Sequence, residues 1–167
     1  MIRVDLDKLQ ELTALTTAYR RTVENSEKVD QSIQKVNIHE DVARNGEAAG
    51  AEIALAKYYG KPDFTPTIGT FKQQADLGSS FEVKWTKWKE GHLIIKPSDR
   101  NTDIAVLVVG TSPTYFIAGW IPIAIAKSAR FKDSRSESWW VGQQDLAPIE
   151  NLIRSKYADA CTSLSNM

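Results

Sequence analysis

This chain has almost no cysteine or histidine. Cys161 is the single cysteine, so no internal disulfide can form, and a reducing, cytoplasmic setting is expected. His39 and His92 have no Cys or His neighbours at zinc-ligand spacing, so no structural zinc is expected. No apolar run reaches the roughly 18–20 residues that span a bilayer, and the stretch Met1-Ile2-Arg3-Val4-Asp5 lacks the apolar core of a signal peptide. Formal net charge is zero, which excludes a strong global field for nucleic acid; any such binding must come from a local patch. No GxSxG, Walker-type GxxxxGK or GxGxxG motif, internal repeat or low-complexity tract occurs. What remains is one domain of ordinary soluble composition, its 167 residues enough for a substantial core.

The most informative stretch is Ala75-Asp76-Leu77-Gly78-Ser79-Ser80-Phe81-Glu82-Val83-Lys84-Trp85. Phe81 to Trp85 alternates apolar and charged residues, as a half-buried strand does. On such a strand Glu82 and Lys84 share one face, and Phe81, Val83 and Trp85 share the other. Gly78, Ser79 and Ser80 are turn formers. A turn there carries Asp76 back beside Glu82, gathering two carboxylates and an ammonium. Such a patch suits a hard divalent cation and a polarised water beside a phosphate.

Upstream, residues 5–36 read as helix. Leu6, Leu9, Leu12, Leu15, Tyr19 and Val23 recur every three or four positions, and Val29, Ile33 and Val36 continue past a polar break at Asn25-Ser26. Two helices, or one with a soft joint, are expected. They serve either as an oligomerisation arm for a second copy or as a layer on the chain's own domain. Residues 39–59 read as an alanine-rich helix ending at Gly60, with Pro62 beyond. Glu52 lies among its alanines, either on a solvated face or facing the Asp76–Glu82 turn. Glu47 is its competitor on another side.

Ile68 to Gln74 is expected as a strand leading into Asp76. Lys84-Trp85-Thr86-Lys87-Trp88-Lys89 interleaves lysines and indoles, which suits phosphate pairing and base stacking or guards a strand edge against aggregation. His92 to Lys96 reads as a short strand and Pro97 to Asn101 as a dense turn, so Asp99 and Asp103 are explained by turn chemistry. Ile104 to Val109 is a continuous apolar run, as in a strand covered on both faces. Tyr115 to Trp120 makes another strand, and Pro122 opens a short helix, Ile123 to Ala129. Lys127, Arg130, Lys132 and Arg135 form a basic run, either solvated or phosphate-binding. Trp139 to Val141 is a candidate edge strand, Asp145 caps a helix through about Tyr157, and the chain from Asp159 is a polar tail.

Asp76 followed by Glu82-Val83-Lys84 resembles the D…(D/E)xK signature of the PD-(D/E)xK, or restriction-endonuclease-like, nuclease superfamily. The run through Leu93-Ile94-Ile95, Asp99 and Gly119-Trp120 is similar to small phage and bacterial members. The resemblance spans roughly residues 40 to 150, with Ala75 where the family has proline and a short spacing of five residues between the acids.

It implies an α/β fold, a central mixed β-sheet flanked by helices, over residues 38–158, behind an N-terminal helical arm of residues 1–37 and before the tail of 159–167. It implies Mg²⁺-dependent cleavage of DNA, with Mn²⁺ as a substitute and RNA not set aside. Asp76, Glu82, Lys84 and Glu52 would be catalytic. Asp76, Glu82 and the main-chain carbonyl of Val83 would hold the metal. Lys87, Trp88, Lys89, Lys96, Arg100, Lys127 and Arg130 would contact nucleic acid. The host cytoplasm is the setting if the chain is phage-encoded. The alternative is a catalytically silent module on the same fold, binding nucleic acid or protein through its tryptophans and lysines.

Overall fold

A computed structural model of the chain describes residues 1–26, 36–69 and 73–165. Its centre is a four-stranded mixed sheet built from β1 (Ile2–Asp5), β2 (Phe81–Thr86), β4 (Ile104–Thr111) and β5 (Thr114–Pro122), in the order β1-β5-β4-β2. β1 and β5 are antiparallel, as are β5 and β4, and β2 runs parallel to β4. A two-stranded antiparallel sheet, β3 (Leu93–Ile95) with β6 (Trp139–Val141), stands apart from it.

All of Ile104 to Val109 is buried, because both faces of β4 are covered. Ile104, Val106 and Val108 pack towards the larger core, with Ile53 and Leu55 of helix α2 (Ile38–Tyr58). Ala105, Leu107 and Val109 pack the other way, with Leu93, Ile95 and Val141 of the small sheet and Ile123 of helix α3 (Ile123–Ala126). Period-two alternation thus turns one apolar strand into the wall between two cores.

Helix α1 (Lys8–Asn25) opens with a capping box. The Gln10 N–H donates to Asp7 Oδ1 at 2.9 Å, and the Asp7 N–H donates to Gln10 Oε1 at 3.0 Å. α1 and α2 run antiparallel: Thr22 meets Asp41 at one end, and Lys57 meets Gln10 at the other. Small residues let the two approach closely. A Cβ on Gly46 would lie 3.2 Å from Leu15 Cδ2 of α1, and on the side of α2 that meets β5 a Cβ on Gly50 would run into the Tyr115 hydroxyl. That hydroxyl donates to Glu47 at 2.7 Å, which fixes the rival of Glu52 away from the Asp76 turn.

Several expectations are corrected. Residues 2–5 form an edge strand, not helix; the expected N-terminal arm contributes Val4, Leu6 and Ala14 to the main core. The helix expected to continue beyond Ser26 lies outside the described residues, apart from Val36 and Asn37, which are not helical. Residues 68, 69, 73 and 74 carry no strand. The helix expected from Asp145 to Tyr157 is two short 3-10 turns, Gln143–Asp145 and Ile149–Arg154, separated by Pro148, which lacks an N–H. The polar tail is instead helix α4 (Asp159–Ser165), with Ala160 and Leu164 buried in the main core. No helix among the described residues is long and apolar enough to cross a membrane.

Candidate active site

Strand β2 is an edge of the central sheet, and its alternation sets the site. Phe81 is buried in the main core, with Val83 and Trp85 packed against it. Glu82 and Lys84 therefore emerge on the opposite face, over the register positions of Ala105 and Leu107. The chain before β2 doubles back on a tight turn at Gly78, whose φ of +60° favours glycine. This turn is closed by bonds between Leu77 and Phe81 and by the Asp76 N–H donating to the Phe81 carbonyl at 2.9 Å. Asp76 is thereby laid along the open edge of β2, where its Oδ2 accepts the Val83 N–H at 2.7 Å. A residue's N–H and C=O point to the same side of a strand, so the Val83 carbonyl faces that edge too.

Asp76, Glu82 and Lys84 line one cavity of about 230 Å³, together with Asp99, Lys96 and Arg100 from the turn after β3 and Arg21 from α1. Lys84 Nζ lies 2.8 Å from Glu82 Oε1 and 2.9 Å from Asp99 Oδ2. Burial works against the ammonium, but the two carboxylates outweigh it and hold Lys84 above its ordinary pKa. Lys84 is therefore a fixed positive charge.

Asp76 is the opposite case. Burial, then the negative charges of Glu52 and Glu82, push its carboxyl up to about 8; the Val83 N–H and Lys84 only partly oppose this. Asp76 makes no ion pair among the described residues. It is a carboxylate short of positive charge, beside a second carboxylate.

Glu52 is buried but turned to a different task. Arg21 grips it through two parallel bonds, Nη1 to Oε1 at 2.9 Å and Nη2 to Oε2 at 3.0 Å. Its carboxylate thus stands behind Arg21, which itself lines the cavity, and touches the site electrostatically through Asp76. Burial raises the Glu52 pKa, with Arg21 pulling it back.

The expected nucleic-acid contacts divide. Lys96 and Arg100 reach the cavity wall. Arg100 also clamps its surroundings: it binds Asp103 and donates to the carbonyls of Gln73 at 2.7 Å and Ser79 at 3.2 Å. Lys127 donates to the carbonyls of Pro97 at 3.1 Å and Asp99 at 2.6 Å, fixing the turn that carries Asp99. Arg130 pairs with Asp145. Lys87, Trp88 and Lys89 sit exposed in the turn after β2 and do not line the cavity.

Arg21 and Asp99 were absent from the expected set. Asp99 does perform the turn chemistry expected of it, its Oδ2 accepting the Lys96 N–H at 2.7 Å. The same oxygen reaches Lys84 only because β3 returns the chain to β2, a juxtaposition that local patterning does not encode. Arg21 lies off the apolar stripe of α1, and an arginine there, next to Arg20, reads as solvated.

Among the described residues, no group of three or more His, Cys, Asp or Glu gathers as a metal cluster. Asp76 and Glu82 line the same cavity, and two carboxylates are a donor set of the small kind that Mg²⁺ accepts while keeping several waters. The raised Asp76 pKa is relieved by added positive charge, so the residues present fit such an ion. No protein-family model, curated protein or solved structure matches this chain.

Proposed function

We propose that this protein is a Mg²⁺-dependent nuclease acting on DNA, with the sheet and its helices a restriction-endonuclease-like fold. One observation carries the proposal: Asp76, Glu82 and Lys84 converge on a single cavity, with Lys84 held charged between Glu82 and Asp99.

Asp76 and Glu82 would hold the cation, joined by the Val83 carbonyl. Bound there, it would acidify a water and draw charge from the phosphate oxygens. Lys84 stabilises negative charge as it develops on the phosphate, or orients the attacking water. Held as an ammonium, it does not serve as the base. Asp99 keeps Lys84 in place, and Lys127 keeps the Asp99 turn in place. Lys96 puts positive charge at the cavity of a chain of zero net charge, and Arg21 and Arg100, each paired with a carboxylate, Glu52 and Asp103, add guanidinium groups to its wall for a phosphate backbone. Nothing in this set distinguishes deoxyribose from ribose, so RNA belongs in the assay.

The test is incubation of plasmid, single-stranded DNA and RNA with the protein plus Mg²⁺ or Mn²⁺. Cleavage should depend on the metal and disappear in Glu82→Ala and Lys84→Ala. Cleavage that persists in both variants sinks the proposal. The raised pKa of Asp76 also favours a second reading, a silent binding module whose carboxyl simply stays protonated. Titration calorimetry with Mn²⁺ separates the two: heat lost in Asp76→Asn supports the nuclease, and no heat in the wild type supports the module.

A further inference from the structure

The small sheet has one face in a core and the other in solvent. Leu93, Ile95 and Val141 are buried with the residues of β4, and Trp139 packs beside them. Ile94 and Trp140, directly opposed across the two strands, therefore face outward. Trp140 is 46 % exposed. It is nonetheless held in place: its indole N–H donates to Ser138 Oγ at 2.9 Å, and the His92 ring lies 5.9 Å away, centroid to centroid. Trp139, by contrast, is faced by lysines of its own, with Lys132 Nζ 4.3 Å and Lys127 Nζ 5.8 Å from the ring centroid.

Lysines stand at both ends of the outer face. At one end Lys96, directly after β3, is exposed and lines the cavity of Asp76 and Glu82. At the other, Lys87, Trp88 and Lys89 are exposed in the turn before β3, Trp88 at 66 %. Gln143 ties that turn to the end of β6, its side-chain amide donating to the carbonyls of Lys89 at 2.7 Å and Gly91 at 2.9 Å. Residues 87–96 hold three lysines against one acid, Glu90, and residues 138–144 carry no charge. Glu137 and Asp145 bound that second run, and Asp145 is paired with Arg130.

We propose that the outer face of the β3–β6 sheet is a stacking platform for single-stranded nucleic acid, which it leads past Lys96 to the cavity. The chemistry selects the occupant. A fixed, exposed indole between ammonium groups meets two properties of such a strand together, a base face to stack on and phosphates to pair with. A duplex offers the phosphates but keeps its base faces stacked on one another. A neutral sugar or an apolar peptide makes no use of the lysines. From His92 to Lys96 the platform runs about 13 Å, room for a short run of nucleotides. That the strand held here is also the strand cut rests on the nuclease reading above; the platform itself does not.

The test is fluorescence anisotropy with a labelled oligothymidylate and a labelled duplex of equal length, both in EDTA so that no metal-dependent cleavage intervenes. The single strand should bind at least about tenfold more tightly than the duplex. Trp140→Ala should weaken single-strand binding about tenfold or more, and Trp140→Phe much less. Circular dichroism should not change in either, because the side chain stands partly in solvent. Lys96→Ala should flatten the slope of log affinity against log salt by about 0.7; the bond to Asp99 survives there, since it uses the main-chain N–H. Glu82→Ala should hold the single strand at least as tightly as the wild type, so absent cleavage beside intact binding would count against the nuclease reading alone. Binding of neither probe, equal affinity for both, or single-strand binding untouched in Trp140→Ala overturns the platform, whatever the cleavage assay gives.

Discussion

Lys84 Nζ stands 2.9 Å from Asp99 Oδ2 and 2.8 Å from Glu82 Oε1, joining an edge strand of the central sheet to a turn that follows the next strand. Removing the ammonium leaves two carboxylates facing each other in a largely buried site. Lys84→Ala is expected to cost about 1–3 kcal/mol in urea unfolding, less than a fully buried pair because the side chain keeps partial solvent access. It should lower DNA cleavage by at least about 100-fold. A double-mutant cycle with Asp99→Asn should show strongly non-additive stability losses; simple additivity would mean that the ion pair is idle.

The Asp76 carboxyl supplies a pH signature. Its pKa is about 8 in the fold, against an ordinary value of 3.8. Between those values the folded chain keeps a proton that the unfolded chain has lost. This group's contribution is therefore complete below about pH 4 and drains away as pH rises through about 8. Asp76→Asn keeps an acceptor for the Val83 N–H but does not titrate. Its melting temperature should exceed the wild type's increasingly as pH rises above about 4, with the gain most evident near pH 9. A gap between the two proteins that stays constant with pH would count against a buried, crowded Asp76.

Added Mg²⁺ or Mn²⁺ should raise the melting temperature of the wild type near pH 8, where Asp76 is partly ionised. Asp76→Asn should show a much smaller rise. Equal shifts in both proteins would place the cation elsewhere.

The Arg21–Glu52 pair predicts a different pattern. The side chains are only 9 % and 6 % exposed, so Arg21→Met strands a buried carboxylate and is expected to cost about 3–5 kcal/mol. Replacing both, with Arg21→Met and Glu52→Leu, should recover most of that loss. Denaturant titration of the single and double variants decides the matter.

Gly50→Ala should destabilise the fold by about 1–3 kcal/mol, because the new methyl drives the Tyr115 hydroxyl away from Glu47. Gly46→Ala, whose nearest neighbour is the Leu15 side chain, should cost less. Comparable thermal unfolding of the two would argue against so close a contact at Gly50.

Much of this was legible in the residues, for identifiable reasons. α2 announces itself through its alanines and its stop at Gly60. The alternation in Phe81 to Trp85 and the unbroken apolar run of β4 give strands whose faces follow from period two. The convergence of Asp76, Glu82 and Lys84 needed only one local turn. β1 was not legible, because four residues before a helix cap carry too little pattern. The apolar periodicity of α1 is plain in its residues, but periodicity says which residues share a face and not which face is covered. Asp99 needed knowledge of where β3 runs. Glu52 needed knowledge of Arg21, 31 residues away in sequence.

The bond from the Val83 N–H to Asp76 bears on solubility as well as on chemistry. β2 borders the sheet, and an exposed border invites another chain to add itself as a further strand. Asp76 occupies that border through its own backbone and its side chain. Asp76→Ala strips away the side-chain half of this cover, and should therefore aggregate sooner on concentration than Asp76→Asn, whose carboxamide still occupies the place.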